Sequence, residues 1–252
     1  METAHAKIEI VITMGGLGSR FRKAGYDVPK YMISAKGKTL FEWSLESLEG
    51  FAGDAAAYTF IAMKDGAADA EAFITEKCSA LGIKNFRVML IDYLTDGQAT
   101  TALLASRFWD KGNALLIYNI DTYVEAGAMT AARIRGDGFI PCFKAEGAHW
   151  SFVRLGADGR AAEVREKERI SDNCTLGAYY FRSCELYESL YRAHYGEGAD
   201  DSHLVNGEKY VAPLYNVLIE RGGEVRIADI PREKVHVLGT PEELRAFVEQ
   251  EN

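Results

Sequence analysis

Short apolar runs alternate with helical patterns along the first half of the chain. The β-branched run Ile8–Met14 and the almost wholly apolar run 114–120 predict buried strands. Further strands are predicted at 58–63 and 86–91, and helices at 39–48, 67–81 and 99–107, the first of which opens on a Thr39-x-x-Glu42 capping box. Apolar strands that alternate with helices are typical of right-handed βαβ units in a parallel sheet. We therefore predict a doubly wound α/β fold for this half.

The pattern changes after about residue 138. Short strands are predicted at 139–143, 151–155, 162–166 and 175–181, and the turn Gly156-Ala-Asp-Gly159 joins two of them as a hairpin. Helices at 185–193 and 210–220, a strand at 225–230 and a helix from Pro241 complete the chain. Because no Pro/Ser-rich linker separates the halves, we predict a single domain, 1–252, with lobes at 1–137 and 138–252.

Composition and charge narrow the class of protein. The 252 residues are 48% hydrophobic and include 24 glycines but 5 prolines, which indicates a globular protein rather than a disordered or fibrous one. The net charge of −8 argues against a non-specific nucleic-acid binder. The four cysteines and five histidines lack zinc-ligand spacing and suggest no disulfide framework, so buried, reduced thiols are expected. No apolar run approaches the roughly 18 residues of a membrane span, and the N-terminus lacks a signal pattern, so we expect a cytoplasmic protein.

A glycine-rich segment, Met14-Gly-Gly-Leu-Gly-Ser-Arg20, directly follows the first strand. Backbone N–H groups in such a loop can approach a phosphate chain closely, so the segment indicates a nucleotide site. It is not a Walker loop, and Phe21 stands where a dinucleotide fingerprint has its third glycine. Asp121 follows the strand at 114–120, at the sheet edge where ligands bind, and a carboxylate there can hold Mg²⁺.

Several motifs, in order along nearly the whole chain, resemble those of the nucleotidyltransferase (nucleoside-diphosphate-sugar pyrophosphorylase) superfamily. They are the glycine loop with Pro29-Lys30, then Gly97-Gln98-Ala99, Asn119-Ile-Asp121, Glu166-Lys167, Gly177-Ala-Tyr-Tyr-Phe181 and Gly239-Thr-Pro-Glu-Glu-Leu244. The chain looks most like the small bacterial members associated with capsule and surface-polysaccharide operons. The resemblance implies a Rossmann-like, mostly parallel sheet of the GT-A type, with an NTP-binding lobe at 1–137 and a smaller mixed acceptor-binding lobe at 138–252.

The resemblance also implies roles for single residues. Lys30 would stabilise charge at the α-phosphorus, Arg20 would help pyrophosphate to leave, and Lys167 would meet the phosphate of the acceptor. Asp121 would bridge Mg²⁺ to the α-phosphate. The expected nucleotide-binding residues are Met14, Gly15, Gly16, Gly18, Ser19, Asp92, Gly97 and Gln98, and the expected acceptor-binding residues are Glu166, Asn173 and Gly177.

Two positions leave alternatives open. Many sugar-nucleotide synthases carry an acidic metal ligand two residues before the Gly-Thr pair, where this chain has Val237. The remaining candidates for a second ligand are His236, Asp229, Asp200 and Asp201. Asp92 stands where uridylyl- and thymidylyltransferases tend to carry glutamine. A carboxylate only accepts hydrogen bonds, so it suits the cytosine amino group or the guanine N–H edge better than uracil and favours CTP; alternatively, Asp92 ends a strand and faces water.

The expected reaction is attack by a phosphorylated small molecule on the α-phosphate of an NTP, with release of pyrophosphate. The acceptor could be a sugar phosphate or a phosphocholine-like compound. A phosphate monoester is already anionic at neutral pH, so no general base is required. One alternative is a GT-A-type glycosyltransferase, although Asn119-Ile-Asp121 has only half of an Asp-x-Asp motif; another is an inactive nucleotide-binding regulatory subunit, which should have lost Arg20, Lys30 or Asp121. The oligomeric state stays open.

Overall fold

The computed structural model describes residues 7–64, 66 and 68–250, apart from the side chain of Asp201. Its strands are β1 (Ile8–Met14), β2 (Ser34–Ala35), β3 (Lys38–Thr39), β4 (Ala55–Met63), β5 (Phe86–Ile91), β6 (Ala114–Asn119), β7 (Thr122–Val124), β8 (Gly138–Lys144), β9 (Ser151–Leu155), β10 (Ala161–Glu166), β11 (Asn173–Thr175), β12 (Ala178–Phe181), β13 (Val225–Asp229) and β14 (Val235–Val237). Its helices are α1 (Ser19–Lys23), α2 (Leu40–Glu46), α3 (Ala70–Ala80), α4 (Gln98–Leu103), α5 (Cys184–Tyr195), α6 (Leu214–Glu220) and α7 (Pro241–Glu249).

Ten of the strands form one mixed sheet in the order β10-β9-β11-β8-β12-β6-β1-β4-β5, with β13 beside β8. Strands β6, β1, β4 and β5 are parallel. Strands β8 to β12 pair antiparallel, and β13 runs parallel to β8. The two parts join where β12 pairs with both β6 and β8, so the sheet is continuous across residues 137 and 138. The predicted α/β class, with a doubly wound parallel part and a smaller mixed part, is confirmed.

The central strands β1 and β6 are buried on both faces. Ile10 and Ile12 belong to a core that also contains Phe41 of α2. Val11, between them, belongs to the opposite core together with Tyr187 of α5. Alternate side chains of a strand point to opposite faces, so an unbroken apolar run is what two helical layers require. None of the helices in the described part of the chain has the length and apolar character needed to cross a bilayer.

Local sequence signals explain several element boundaries. The predicted capping box is present: the Glu42 N–H donates to Thr39 Oγ1 (3.3 Å) and the Thr39 N–H to Glu42 Oε2 (2.8 Å). Helix α3 begins after Asp69, which caps it, and the predicted start at residue 67 lies outside the described residues. The predicted hairpin at 156–159 joins β9 to β10, and all four cysteines are buried and free.

Other boundaries differ from the prediction. The strand predicted at 175–181 is two strands, β11 and β12, interrupted at Leu176 and Gly177. The helix predicted from residue 210 begins at Leu214, after Pro213. The elements α1, β2, β3, β7 and β14 were missed because two to five residues are too few to show a periodicity.

Candidate active site

A cleft of about 580 Å³ opens at the carboxyl ends of β1, β4 and β6. In a parallel sheet these ends meet along one edge, where ligands of open α/β folds bind. Eight of the predicted site residues line this cleft: Met14, Gly15, Gly16, Gly18, Lys30, Gly97, Gln98 and Asp121. The folded chain therefore brings together the glycine loop, the Pro-Lys pair, the Gly-Gln segment and the strand-end aspartate.

The centre of the cleft holds an ion pair between Lys30 and Asp121, whose Nζ and Oδ2 atoms are 2.7 Å apart. Lys30 begins the short 3-10 turn Lys30–Met32, and Asp121 follows β6 directly. Only 20% and 30% of the two side chains are exposed, so water screens the pair weakly. An anionic ligand would compete for Lys30 and a cation for Asp121, so binding of both would replace one ion pair by two new ones.

Helix α1 presents its basic residues in different directions. Arg20 and Ser19 are exposed and do not line the cleft, whereas Arg22 lines it and donates from Nη1 to the Asp27 carbonyl oxygen (3.2 Å). The glycine loop therefore brings Arg22, rather than Arg20, to the cleft in this conformation. The sequence contains both arginines, and two residues apart on a helix they cannot share a face.

Asp92 is exposed and does not line the cleft. It follows β5, one strand further from the centre of the sheet than β4. This placement matches the alternative in which a strand-end carboxylate faces water.

The segment 208–210 contributes to the cleft lining, and sequence reasoning missed Glu208 as a site residue. Glu208 and Tyr210 line the cleft. The segment docks on the nucleotide side through backbone hydrogen bonds from Lys209 N–H to Asp96 O (2.7 Å) and from Ala99 N–H to Lys209 O (3.0 Å). A Cβ at Gly97, whose φ is +137°, would overlap the Lys209 backbone. The glycine of the Gly-Gln-Ala motif therefore leaves room for the backbone at Lys209, a role for which the sequence carries no local signal.

Lys167, which is predicted to meet the acceptor phosphate, contacts Tyr210 of the cleft lining. Lys167 Nζ contacts Tyr210 Oη and lies 4.4 Å from the centre of its ring. Glu166, next to it at the end of β10, accepts a hydrogen bond from the Ser151 hydroxyl. Burial raises the pKa of Glu166, while the Ser151 hydrogen bond and the Lys167 charge oppose the rise.

The raised pKa of Glu166 predicts a pH-dependent stability. The pKa of Glu166 is higher in the folded than in the unfolded state, so the protonated side chain contributes to the free energy of unfolding. This contribution is complete below about pH 4.3 and is lost as the pH rises through the folded-state pKa. The glutamine of Glu166→Gln does not titrate. The melting temperature of this variant, measured relative to that of the wild type, should therefore rise from pH 4 to pH 7. Glu163 lies on the same strand as Glu166, and hydrogen bonds from Arg154 and Arg165 lower its pKa. Glu163→Gln should therefore have a lower melting temperature than the wild type at neutral pH. Parallel gains for both variants would contradict this account.

Asn173 and Gly177 lie at the sheet rather than in the cleft lining. The Asn173 amide donates to Val153 O (2.8 Å) and its Oδ1 accepts from Lys144, so its polar groups are used within the protein. Gly177 lies against the amide of Asn119, which lines the cleft and whose buried Oδ1 has no hydrogen-bond partner among the described residues. Gly177 thus makes room for the Asn119 side chain at the base of the cleft.

Gly177→Ala should destabilise the protein by about 2–4 kcal/mol, because the φ of +85° is strained for alanine and the new Cβ overlaps Asn119. Urea denaturation measures the change. Gly82→Ala is the matched control, since Gly82 has φ +72° but no atom within 4 Å of the added Cβ. Gly82→Ala should lower the free energy of unfolding by about 1 kcal/mol, because it introduces only the backbone strain of the positive φ. Equal costs at the two positions would show that Asn119 does not constrain the site.

The residues around Asp121 fit a magnesium ion that also binds substrate phosphates. Mg²⁺ takes one or two carboxylates and completes its shell with phosphates and water, so the Asp121 carboxylate, in a cleft that is also lined by Asn119 with its unpartnered Oδ1, suits it. Among residues 7–64, 66 and 68–250, no group of three or more His, Cys, Asp or Glu side chains could hold a metal ion. A complete protein cage is therefore absent from the described part of the chain.

The described candidates for a second metal ligand make contacts of their own or face solvent. His236 stacks on Tyr123 with ring centres 5.2 Å apart, and burial lowers its pKa. Asp229 is exposed at the end of β13, Asp200 accepts from the Ser202 N–H, and the side chain of Asp201 lies outside the described residues. The acidic side chain near Asp121 is Glu243: a Cβ at Gly239 would lie 3.3 Å from Asp121 Oδ2 and 3.4 Å from Glu243 Oε2.

Comparison with solved structures identifies the family. The nucleoside-diphosphate-sugar pyrophosphorylase from Vibrio cholerae RC9 has a TM-score of 0.86 and 35% identity over 96% of this chain and 100% of that one. The chain belongs to the nucleoside-diphosphate-sugar pyrophosphorylase superfamily of nucleotidyltransferases. The membership predicted from the motifs is thereby confirmed. No model of a known protein family matches the chain, and no curated protein does.

More distant members of the superfamily share the fold. The inositol-1-phosphate CTP transferase from T. maritima has a TM-score of 0.74 and 15% identity over 97% of each chain. The CTP:phosphocholine cytidylyltransferase from Streptococcus pneumoniae has a TM-score of 0.69 and 14% identity over 96% of this chain and 98% of that one. At such identities the likeness shows the fold alone.

Proposed function

We propose that this protein transfers a nucleoside monophosphate from an NTP to a phosphorylated small molecule and releases pyrophosphate. The observation that carries the proposal is the Lys30–Asp121 pair beside the glycine loop, in a single cleft. A cation next to backbone amides suits a triphosphate, and a carboxylate suits the metal that accompanies it. Superfamily membership supports the same chemistry.

In the proposed mechanism the protein binds the NTP and the acceptor, orients their reacting groups and neutralises the phosphate charges. The glycine loop takes the phosphates, Lys30 moves from Asp121 to the α-phosphate, and Arg20 or Arg22 neutralises the departing pyrophosphate. Lys167 positions the acceptor phosphate, which attacks the α-phosphorus in line as an anion and needs no base. Mg²⁺ held by Asp121 would supply further neutralisation of the triphosphate.

We propose CTP as the nucleotide. The two CTP-using relatives share the fold, which makes CTP a natural first test but does not select it. The carboxylate of Asp92 would favour CTP by accepting from the cytosine amino group, but Asp92 is exposed and lies outside the cleft lining, so its position does not support that role.

A pyrophosphate-release screen tests the proposed function. Each of the four NTPs is combined, with Mg²⁺, with a panel of sugar phosphates, polyol phosphates and amino-alcohol phosphates. The expected result is release that requires both an NTP and one acceptor class. Release from no combination, together with hydrolysis or transfer from an NDP-sugar, would favour a glycosyltransferase of the same fold. Nucleotide binding without any turnover would favour a regulatory subunit.

A further inference from the structure

Tyr210 connects the cleft to Lys167. The Lys167 ammonium donates a hydrogen bond to the Tyr210 hydroxyl oxygen, and Tyr210 lines the cleft whereas Lys167 is not part of the lining. An ammonium has three N–H donors and no acceptor, so the phenol oxygen must be the acceptor in this contact. Within the described part of the chain this is the one hydrogen bond of the ammonium. Its other two N–H groups are therefore available to an anion beside Tyr210.

The backbone of Lys167 is held in an unusual conformation. Its φ is +56°, and among the described non-glycine residues only Lys36 and Asn206 also have a positive φ. This left-handed conformation is strained for a residue with a Cβ, and such strain persists only where the surroundings enforce it. The Lys167 N–H donates to Trp150 O at 2.8 Å, which holds the backbone in place. Both ends of the Lys167 side chain are thus fixed, the Cα by this hydrogen bond and the ammonium by Tyr210.

Tyr210 is itself anchored by neighbours on both lobes. The Tyr195 hydroxyl, on α5, donates to Tyr210 O at 2.9 Å. The preceding residue, Lys209, forms an ion pair with Asp96, in which Nζ and Oδ2 are 2.7 Å apart. Burial raises the pKa of the Tyr210 phenol, and a hydrogen bond to Glu208 raises it further, so the hydroxyl stays neutral at physiological pH. A neutral and anchored phenol can hold the ammonium in one place.

We propose that Tyr210 is a positioning residue, which holds the Lys167 ammonium beside the cleft so that its two remaining N–H groups bind the phosphate of the acceptor. The inference rests on the proposed function, because it concerns how the acceptor is bound. A free lysine side chain loses much rotamer entropy when it binds a ligand. The contact with Tyr210 means that part of this entropy is already lost before the acceptor arrives, which favours binding. Tyr210 should therefore affect acceptor binding through Lys167 and leave NTP binding unchanged.

The acetylation rate of Lys167 tests the contact without an identified acceptor. Mass spectrometry gives the rate in the wild type and in Tyr210→Phe, which keeps the ring and removes the hydroxyl. Lys167 should be acetylated about threefold to tenfold faster in the variant, because loss of the hydrogen bond frees the amine. Lys23, which is exposed and outside the cleft lining, is the internal standard and should keep its rate. Tyr180→Phe makes the same change at a half-buried tyrosine of β12 outside the lining and should leave the Lys167 rate unchanged.

Inorganic phosphate is the probe for the anion that Lys167 binds. In the wild type, phosphate should slow Lys167 acetylation at least about threefold relative to potassium chloride of the same ionic strength, and Tyr210→Phe should lose most of this protection. Circular dichroism checks that each variant is folded.

Kinetics with an acceptor found in the pyrophosphate-release screen give a second test. Tyr210→Phe should raise the KM of that acceptor about threefold to tenfold, while kcat and the NTP dissociation constant stay within about twofold. In a Lys167→Met background the same substitution should leave the acceptor KM unaltered, because Tyr210 acts through Lys167. A merely structural role of Tyr210 would instead change KM in both backgrounds.

Three outcomes would overturn the inference. They are equal Lys167 acetylation rates in the wild type and Tyr210→Phe, phosphate protection that is absent or independent of Tyr210, and an effect on KM that persists without Lys167. Each of them leaves the transfer reaction standing, because pyrophosphate release is measured separately. Release of pyrophosphate from no NTP and acceptor combination would overturn the proposed function, while the acetylation rates would still decide whether Tyr210 holds Lys167.

Discussion

Lys30→Ala should lower turnover by about 10²-fold or more while changing NTP affinity little. Lys30 is placed to follow the charge that develops at the α-phosphorus, and such a contact acts on the rate more than on ground-state binding. In the free protein Lys30 is paired with Asp121 at 2.7 Å, so part of its binding energy towards the NTP is offset by the loss of that pair. Steady-state pyrophosphate release gives turnover, and calorimetry gives the NTP dissociation constant.

Lys23→Ala is the control for charge, because Lys23 is exposed at the end of α1 and does not line the cleft. It should leave turnover near the wild-type value. Unchanged turnover in a folded Lys30→Ala protein would remove Lys30 from the mechanism. A large loss of NTP affinity with unchanged turnover would make it a ground-state phosphate ligand instead.

Asp121→Asn should reduce Mg²⁺-dependent activity by at least about 10²-fold and leave the fold intact. The amide keeps the shape of the side chain, and the Asp121 backbone oxygen still accepts from the Leu238 N–H at 2.8 Å. The substitution removes the carboxylate that would hold the ion and also releases Lys30 from its partner. Activity measured against Mg²⁺ concentration is the appropriate assay, with thermal denaturation to confirm folding.

Asp158→Asn makes the same change in the turn between β9 and β10, far along the chain from the cleft residues. Its activity and metal dependence should match those of the wild type. If Asp121→Asn retains the wild-type dependence on Mg²⁺, the ion binds elsewhere and the proposed role of Asp121 is wrong.

Several features of the fold and the site followed from the sequence because their signals are local. Apolar runs long enough to be buried on both faces identify β1 and β6, and in a parallel sheet the ends of such strands meet at one edge. That rule places the glycine loop after β1 and Asp121 after β6 at the same edge of the sheet, and the pairing of β1 with β6 makes them neighbours. Lys30 follows from the resemblance of Pro29-Lys30 to the family motif, and the structure brings it within 2.7 Å of an aspartate 91 residues away.

The sequence could not determine which loop side chains face the cleft. Arg20 and Arg22 are both arginines that closely follow the glycine loop, so the sequence does not distinguish them. Only the direction of α1 brings Arg22 into the cleft lining.

Other assignments depended on which groups become neighbours. Asn173 stays a predicted acceptor residue, but only the structure shows that its amide donates to Val153 O. Glu208 carries no sequence signal and lines the cleft because its segment docks beside Gly97.

Local periodicity thus determined which residues enter the core of this protein, because burial of apolar surface depends on the residue and its register. The orientation of the polar groups in the cleft was decided by the tertiary structure, because a hydrogen bond such as that between Gln98 and Thr13 exists only when two distant segments meet at the correct distance and angle.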